Sequence, residues 1–271
     1  MQEQIETSPD REQNKATTRI LSVLSLFAAD ASGYGVTELS SLLGMSKNMI
    51  HRALTTLVEQ GYLVRDPSGQ RYELGYRVLE LQNANSLEPD LRALCAPYIR
   101  QLFALTGETV SLMVRAFDHA VFIDGVETRR PGTYRIEIGA LRPLHPIAAG
   151  RLMLAHDPDE AIAAYIARHT PLVVPGPEGV LAPQALWDEI ARTRAEGYAR
   201  SLRQGPLPML AVAFPIRDAE GGLHGALSVG GPRERFANEL ELKLPAMKAI
   251  AAELSRRTRL YPARSAQWEL A

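Results

Sequence analysis

Residues 35–63 place two short amphipathic stretches a few residues apart around Gly44-Met45-Ser46, which restricts the segment to a helix pair with a tight turn. Thr37 stands where it would cap the first helix, whose apolar face is Leu39, Leu42 and Leu43. Ser46 precedes the second, where a short oxygen-bearing side chain can accept from the free N–H groups of the first turn. Ile50, Leu54, Leu57 and Val58 follow at the spacing of a single buried stripe. The opposite face carries Lys47, Asn48, His51, Arg52 and Thr55, with the best donors in the first two turns. That chemistry suits phosphates and base edges in a major groove.

The residues behind this helix strengthen the reading. Gly61 closes it, Tyr62 to Arg65 reads as a strand, Asp66 to Gln70 is dense in turn formers, and Arg71 to Leu74 returns as the partner strand. A hairpin directly after a recognition helix makes a winged helix. Arg65 and Arg71 at its base could reach phosphates, contacts that fix register without reading sequence. Thr17 to Ala28 supplies the first helix through Ile20, Leu21, Val23, Leu24 and Phe27. A protein-docking module with solvated basic residues is the competing reading. Agreement of turn, caps, buried stripe and wing favours duplex DNA. The candidate DNA contacts are Thr37, Ser46, Lys47, Asn48, His51, Arg52, Thr55, Arg65 and Arg71.

Composition limits the alternatives. A formal net charge of −1 over 271 residues means that DNA contact must come from a local patch. The single cysteine, Cys95, excludes an internal disulfide framework and a cysteine-cluster zinc site; packing on a helix face is its expected role. No apolar run reaches membrane-spanning length, and the polar stretch Met1 to Lys15 lacks a signal-peptide core. The expectations are a disordered tail over 1–15, a cytoplasmic protein, and no cofactor or metal.

The winged helix is expected over 16–75 and a linker helix over 76–88, with Asn83-Ala84-Asn85-Ser86 and Pro89 marking the boundary to a second domain over 89–262 and a tail over 263–271. A long helix through Leu91, Cys95, Tyr98 and Phe103 contains Pro97, a candidate kink. Strands are expected at 109–115, 121–126, 134–138, 210–216 and 223–230, the last two joined by a turn at 218–222. Helices are expected from Pro146 through Leu154, over 158–169 and 183–197, and finally from Asn238 to Leu260. This order argues an α+β domain whose mixed or antiparallel sheet is flanked by helices.

Several segments in this order carry a resemblance. They are the helix-turn-helix and wing running into Tyr72-Glu73-Leu74-Gly75, then Gly139-Ala140-Leu141-Arg142-Pro143-Leu144-His145-Pro146-Ile147-Ala148-Ala149-Gly150-Arg151, then Glu196-Gly197-Tyr198-Ala199, Leu210 to Ile216, and Gly225 to Pro232. From about Thr17 to Leu260 the chain resembles the IclR family of bacterial transcription regulators. The resemblance implies a GAF-like effector domain that binds a small molecule, often an organic or aromatic acid, and a homodimer or homotetramer on a double-stranded operator. It also implies effector contacts at Ala148, Ala149, Gly150, Ser201, Met209, Ser228 and Gly230, the last often serine in relatives.

The residues give independent reasons for part of this. Proline suits the first turn of a helix, and the small residues after Pro146 would let a carboxylate approach free N–H groups, although they would equally suit close sheet packing. Arg200 and Arg203 could supply a cation, a solvated loop being the plainer reading of each. His145 has no carboxylate or cysteine nearby in sequence and reads as structural. Some methyltransferases carry an N-terminal winged helix, which makes such an enzyme the alternative. The second domain has no strand followed by a glycine-rich cofactor turn, no G-x-S-x-G, no H-E-x-x-H and no P-loop lysine, so a non-enzyme is expected.

Overall fold

Helices α1 (Lys15–Leu26), α2 (Val36–Leu43) and α3 (Lys47–Glu59) close around Val23, Phe27, Leu39, Ile50, Leu54 and Leu57. The hairpin of β1 (Leu63–Arg65) and β2 (Tyr72–Leu74) adds Leu63 and Tyr72 to the same core and is followed by α4 (Arg77–Ala84). The computed structural model describes residues 15–28, 32–84, 89–176, 179–203, 207–217 and 220–258. The chain divides into two units, Met1–Leu87 and Glu88–Ala271. The expected tails lie outside the described residues, except that Lys15 already belongs to α1.

The turn between α2 and α3 follows from its sequence. Gly44 ends α2 at φ +62°, a conformation that costs glycine nothing, and Ser46 Oγ accepts from Met49 N–H at 3.4 Å to start α3. Thr37 does not cap α2. Gly35 holds that position in extended geometry, and its N–H meets the Glu38 carboxylate at 3.4 Å.

In the second unit, α5 (Pro89–Thr106) continues through Pro97 into β3 (Thr109–Ala116) and β4 (His119–Val126). Next come β5 (Leu141–Pro143), α6 (Ala148–Leu154), α7 (Asp159–His169) and the small hairpin β6 (Leu172–Val173) and β7 (Val180–Leu181). The order closes with α8 (Pro183–Glu196), β8 (Ala199–Arg203), β9 (Met209–Arg217), β10 (Leu223–Pro232) and α9 (Arg233–Thr258). Six strands form one sheet in the order β5-β4-β3-β10-β9-β8, and all its pairings are antiparallel.

Alternation along the strands builds two unlike faces. Val110, Leu112, Val212, Phe214, Leu227 and Val229 pack with α5 and α9 in one core. The other face carries small residues in register: Ser228 lies between Ser111 and Ala213, and Gly230 lies between Thr109 and Ala211, with Ser201 beyond Ala211. On this side α6, α7 and α8 make a second core through Leu152, Met153, Ile162, Tyr165, Leu186 and Ile190. Large side chains seal one face of the sheet, whereas small ones leave space on the other.

Several expectations are corrected. Residues 134–138 form no strand, and the ladder partner on the outer edge of β4 is Leu141–Pro143. Ile136 N–H bonds the Glu127 carboxylate at 2.7 Å instead, and its side chain occupies the space over Gly125, where a Cβ would lie 2.4 Å from Ile136 Cδ1. Helix α6 starts at Ala148 rather than at Pro146. The Tyr165 hydroxyl accepts from the N–H groups of Leu144 and His145 at 3.0 and 3.2 Å, and Ile147 stays extended. Helix α9 begins at Arg233, five residues before Asn238, and Arg233 N–H bonds Pro208 C=O at 2.8 Å. Sequence reading missed β5, β8 and the β6–β7 hairpin.

Candidate functional site

Two surfaces qualify, one in each unit. On α3, Lys47, Asn48, His51, Arg52 and Thr55 are exposed, while Ile50, Ala53, Leu54 and Leu57 are buried beneath them. Among the described residues nothing engages the side chains of Lys47, Asn48, His51 or Arg52. Ser46 stays exposed at the helix start with its hydroxyl turned to the cap, and Thr37 is exposed in the first turn of α2. Four basic or amide donors, free and grouped at one end of a firmly seated helix, make a surface that can enter a groove.

The wing arginines differ from one another. Arg65 is exposed, with Nε donating to the Tyr72 hydroxyl at 3.0 Å and its guanidinium 5.1 Å from that ring's centre. Arg71 is already committed within the unit. It donates to the carbonyls of Ser32 and Gly33 and pairs with Glu38 at 3.2 Å, tying the wing to the approach to α2.

The second surface is a cavity of about 530 Å³ on the small-residue face of the sheet. Of the seven residues implied as effector contacts, Ala148, Ala149, Ser201, Met209 and Ser228 border it; Gly150 and Gly230 do not. A Cβ at Gly150 would lie 2.1 Å from the carbonyl oxygen of Leu144, so this glycine permits the close crossing of α6 over residue 144. A Cβ at Gly230 would lie 2.9 Å from Tyr134 Cε1. The missing side chain therefore makes room for a tyrosine that itself borders the cavity.

Tyr134 and its neighbours escaped sequence reasoning. Burial pushes the Tyr134 hydroxyl up to about 12, against the weaker influence of the Ser111 hydroxyl beside it. Ser111 Oγ is buried and meets no partner at hydrogen-bonding geometry. Arg135, Glu137 and Arg142 bring charge to the cavity, and Met113, Phe122 and Val173 bring apolar surface. The arginines named from sequence serve elsewhere: Arg200 binds the Tyr198 hydroxyl and pairs with Glu241 at 2.8 Å, and the side chain of Arg203 lies outside the described residues.

His145 fastens the cavity rim. The Tyr165 hydroxyl, which already accepts two backbone N–H groups, donates to Nδ1 at 2.9 Å, so Nε2 carries the hydrogen and donates to Val173 C=O at 2.8 Å. Burial holds its pKa below the usual histidine value. Both ring nitrogens have structural partners, which leaves neither for catalysis.

Comparison with known proteins decides what these two surfaces belong to. The family model for the bacterial transcriptional regulator IclR C-terminal domain matches residues 86–256, and that for the IclR helix-turn-helix domain matches 16–67. The chain belongs to the IclR family of bacterial transcriptional regulators. It is 30% identical to the HTH-type transcriptional regulator KipR of Bacillus subtilis over 246 residues, covering 90% of this chain and 97% of that protein. It is 28% identical to the acetate operon repressor of Salmonella typhimurium, covering 91% and 90% of the two chains. The structure of an IclR homologue from Microbacterium hydrocarbonoxydans, complexed with 4-hydroxybenzoate, matches with a TM-score of 0.76 at 23% identity, over 91% of this chain and all of that one. As an IclR-family regulator the chain pairs a DNA-binding helix-turn-helix unit with a C-terminal effector domain. These relatives give the methyltransferase alternative no support.

Proposed function

We propose that this protein acts in the cytoplasm as a homo-oligomer whose paired winged helices read two half-sites of an operator, and that a small organic acid bound in the effector domain changes its affinity for that operator. Symmetry supports the pairing, because a twofold protein matches a palindromic site. The observation that carries the DNA assignment is the free polar face of α3. Lys47, Asn48, His51 and Arg52 meet phosphates and bases, with Ser46, Thr37, Thr55 and Arg65 placed to assist. Arg71 supports the wing, its Nε and Nη2 being held by Ser32, Gly33 and Glu38.

The cavity over the small-residue face supports effector binding. Its walls are mainly apolar, with a few hydroxyls and three charged side chains, the usual composition of a small-molecule site. Ala148, Ala149, Ser201, Met209 and Ser228 are its proposed contacts, and 4-hydroxybenzoate in the Microbacterium homologue makes acids the first class to try. The ligand must favour one arrangement of the oligomer over another, since equal binding to both shifts nothing.

The test is selection of bound duplexes from a random pool by the full chain, followed by fluorescence anisotropy at fixed salt with and without a panel of acids. Enrichment of an inverted repeat, with an affinity that one acid changes, supports the proposal. Binding that ignores both sequence and acids overturns it.

A further inference from the structure

The walls of the cavity differ in charge. Arg135, on the irregular segment after β4, and Arg142, on β5, border one side together with Glu137. Among the described residues nothing pairs with Arg135, which is exposed. Arg142 pairs with Glu137 at 3.0 Å, and its guanidinium lies 6.0 Å from the centre of the Phe122 ring. This ion pair is exposed on both partners, and such pairs contribute little, so exchanging Glu137 for another carboxylate costs little. Two arginines against one glutamate leave this side with one net positive charge.

The other side holds no charge. It presents Ser111, whose buried hydroxyl meets no partner at hydrogen-bonding geometry although the Tyr134 phenol lies beside it, then that phenol, and Ser228 directly across the ladder from Ser111. A buried carboxylate facing hydroxyls alone lacks a counter-charge, whereas a hydroxyl there satisfies donors and acceptors without one. Between the two sides stand Phe122 and Met113, which suit an apolar body.

Resting on the acid-binding reading above, we propose that the ligand is a hydroxylated aromatic monocarboxylic acid whose carboxylate lies on Arg135 and Arg142 and whose hydroxyl points to Ser111 and Tyr134. Carboxylate recognition thus belongs to β5 and the irregular segment that precedes it, and the inner strands of the sheet read the far end of the ring.

Titration calorimetry of the full chain with 4-hydroxybenzoate, benzoate, 4-hydroxybenzamide and the aliphatic acids acetate and succinate tests this orientation. Wild type should bind 4-hydroxybenzoate about tenfold or more tighter than the amide, because a charge-assisted contact is lost with the carboxylate. In the double variant Arg135→Gln/Arg142→Gln that ratio should fall towards one, with the melting temperature unchanged. Ser111→Ala should weaken 4-hydroxybenzoate while sparing benzoate. A ratio that survives the double variant and collapses in Ser201→Ala/Ser228→Ala would place the carboxylate on the hydroxyl wall and overturn the proposal. Binding of aliphatic acids alone would overturn it while leaving acid sensing intact. A wild type that binds no acid, aromatic or aliphatic, would remove both.

Discussion

Replacing Gly150 by alanine separates a packing glycine from a ligand-binding one. In a helix interior this change should stabilise by about 1 kcal/mol, because alanine loses less backbone entropy. The structure opposes that gain. The added Cβ would lie 2.1 Å from Leu144 O, 2.4 Å from Leu144 Cα and 2.6 Å from Leu144 C, all backbone atoms. Nor can residue 144 easily retreat. Leu144 is fully buried and its N–H is held by the Tyr165 hydroxyl at 3.0 Å. Overpacking of this kind costs about 1–3 kcal/mol and occasionally more, and the depth of the overlap puts it at the upper end. Subtracting the helix gain leaves a net loss on the order of 2 kcal/mol. Gly230→Ala is the control, since its Cβ would press on side-chain atoms, Tyr134 Cε1 at 2.9 Å and Ala211 Cβ at 3.3 Å, with the nearest backbone atom, Leu210 O, at 3.5 Å. Its expected cost is about 1 kcal/mol or less, accompanied by altered ligand affinity. Urea unfolding followed by tryptophan fluorescence reports on the right region, because Trp187 lies on α8 of the second unit and residues 1–87 contain no tryptophan. A Gly150→Ala protein as stable as wild type, or more stable than Gly230→Ala, would refute the packing role.

Arg52→Ala should weaken operator binding by about 1–3 kcal/mol if its guanidinium reads a guanine, measured by anisotropy at fixed salt; unchanged affinity removes it from the readout. Glu108 is 2% exposed and held by both guanidinium arms of Arg235 at 2.5 and 2.7 Å, so Glu108→Ala should destabilise the second unit by about 3 kcal/mol in the same urea assay, and a neutral result would show that the pair contributes nothing. The lowered pKa values of His145 and His156, both caused mainly by burial, fix the sign of an acid response. Below about 6.5 the unfolded chain binds protons that the folded histidines refuse, so their contribution to stability is complete above that pH and is lost as pH falls towards the depressed folded values. Thermal melts from pH 7.5 to 5 should show this slope, reduced in His145→Gln, and a flat profile would contradict it.

How far the fold was legible depends on how local its causes are. The helix pair and wing could be read because Gly44, Ser46, the Ile50–Leu57 stripe and the 66–70 turn each act within a few residues. The strand β8 could not. Its Ala-Arg-Ser-Leu-Arg sequence has too little apolar content to announce a strand, and Arg200 is accommodated by Tyr198 and by Glu241 of α9, a partner 41 residues away. The start of α6 depended likewise on Tyr165, whose hydroxyl holds residues 144 and 145 from 21 and 20 positions downstream.

The misread segment 134–138 had the largest consequence for the site. Tyr-Arg-Ile-Glu-Ile alternates as a half-buried strand should, and a strand would have aimed Arg135 and Glu137 together to one face, as solvated charges. Alternation is necessary for such a strand but does not supply a ladder. The outer edge of β4 accepts Leu141–Pro143 only at His119 to Val121, and Gly125 further along gives its space to the Ile136 side chain rather than to a paired backbone. Without ladder partners the segment folds over the small-residue face. Tyr134 then reaches Gly230, and Arg135 and Glu137 reach the cavity rim. The sheet side of the site was reached through the family resemblance, which implied Ser228 and Gly230; the structure shows the physical reason, their alternation with Leu227 and Val229 on a face of small residues. The charged side was not reached, because the residues that supply it are positioned by a pairing that fails to form. For a cavity built this way, substitutions in the segment between β4 and β5 should change ligand choice more than stability, whereas substitutions on the sheet floor should change both.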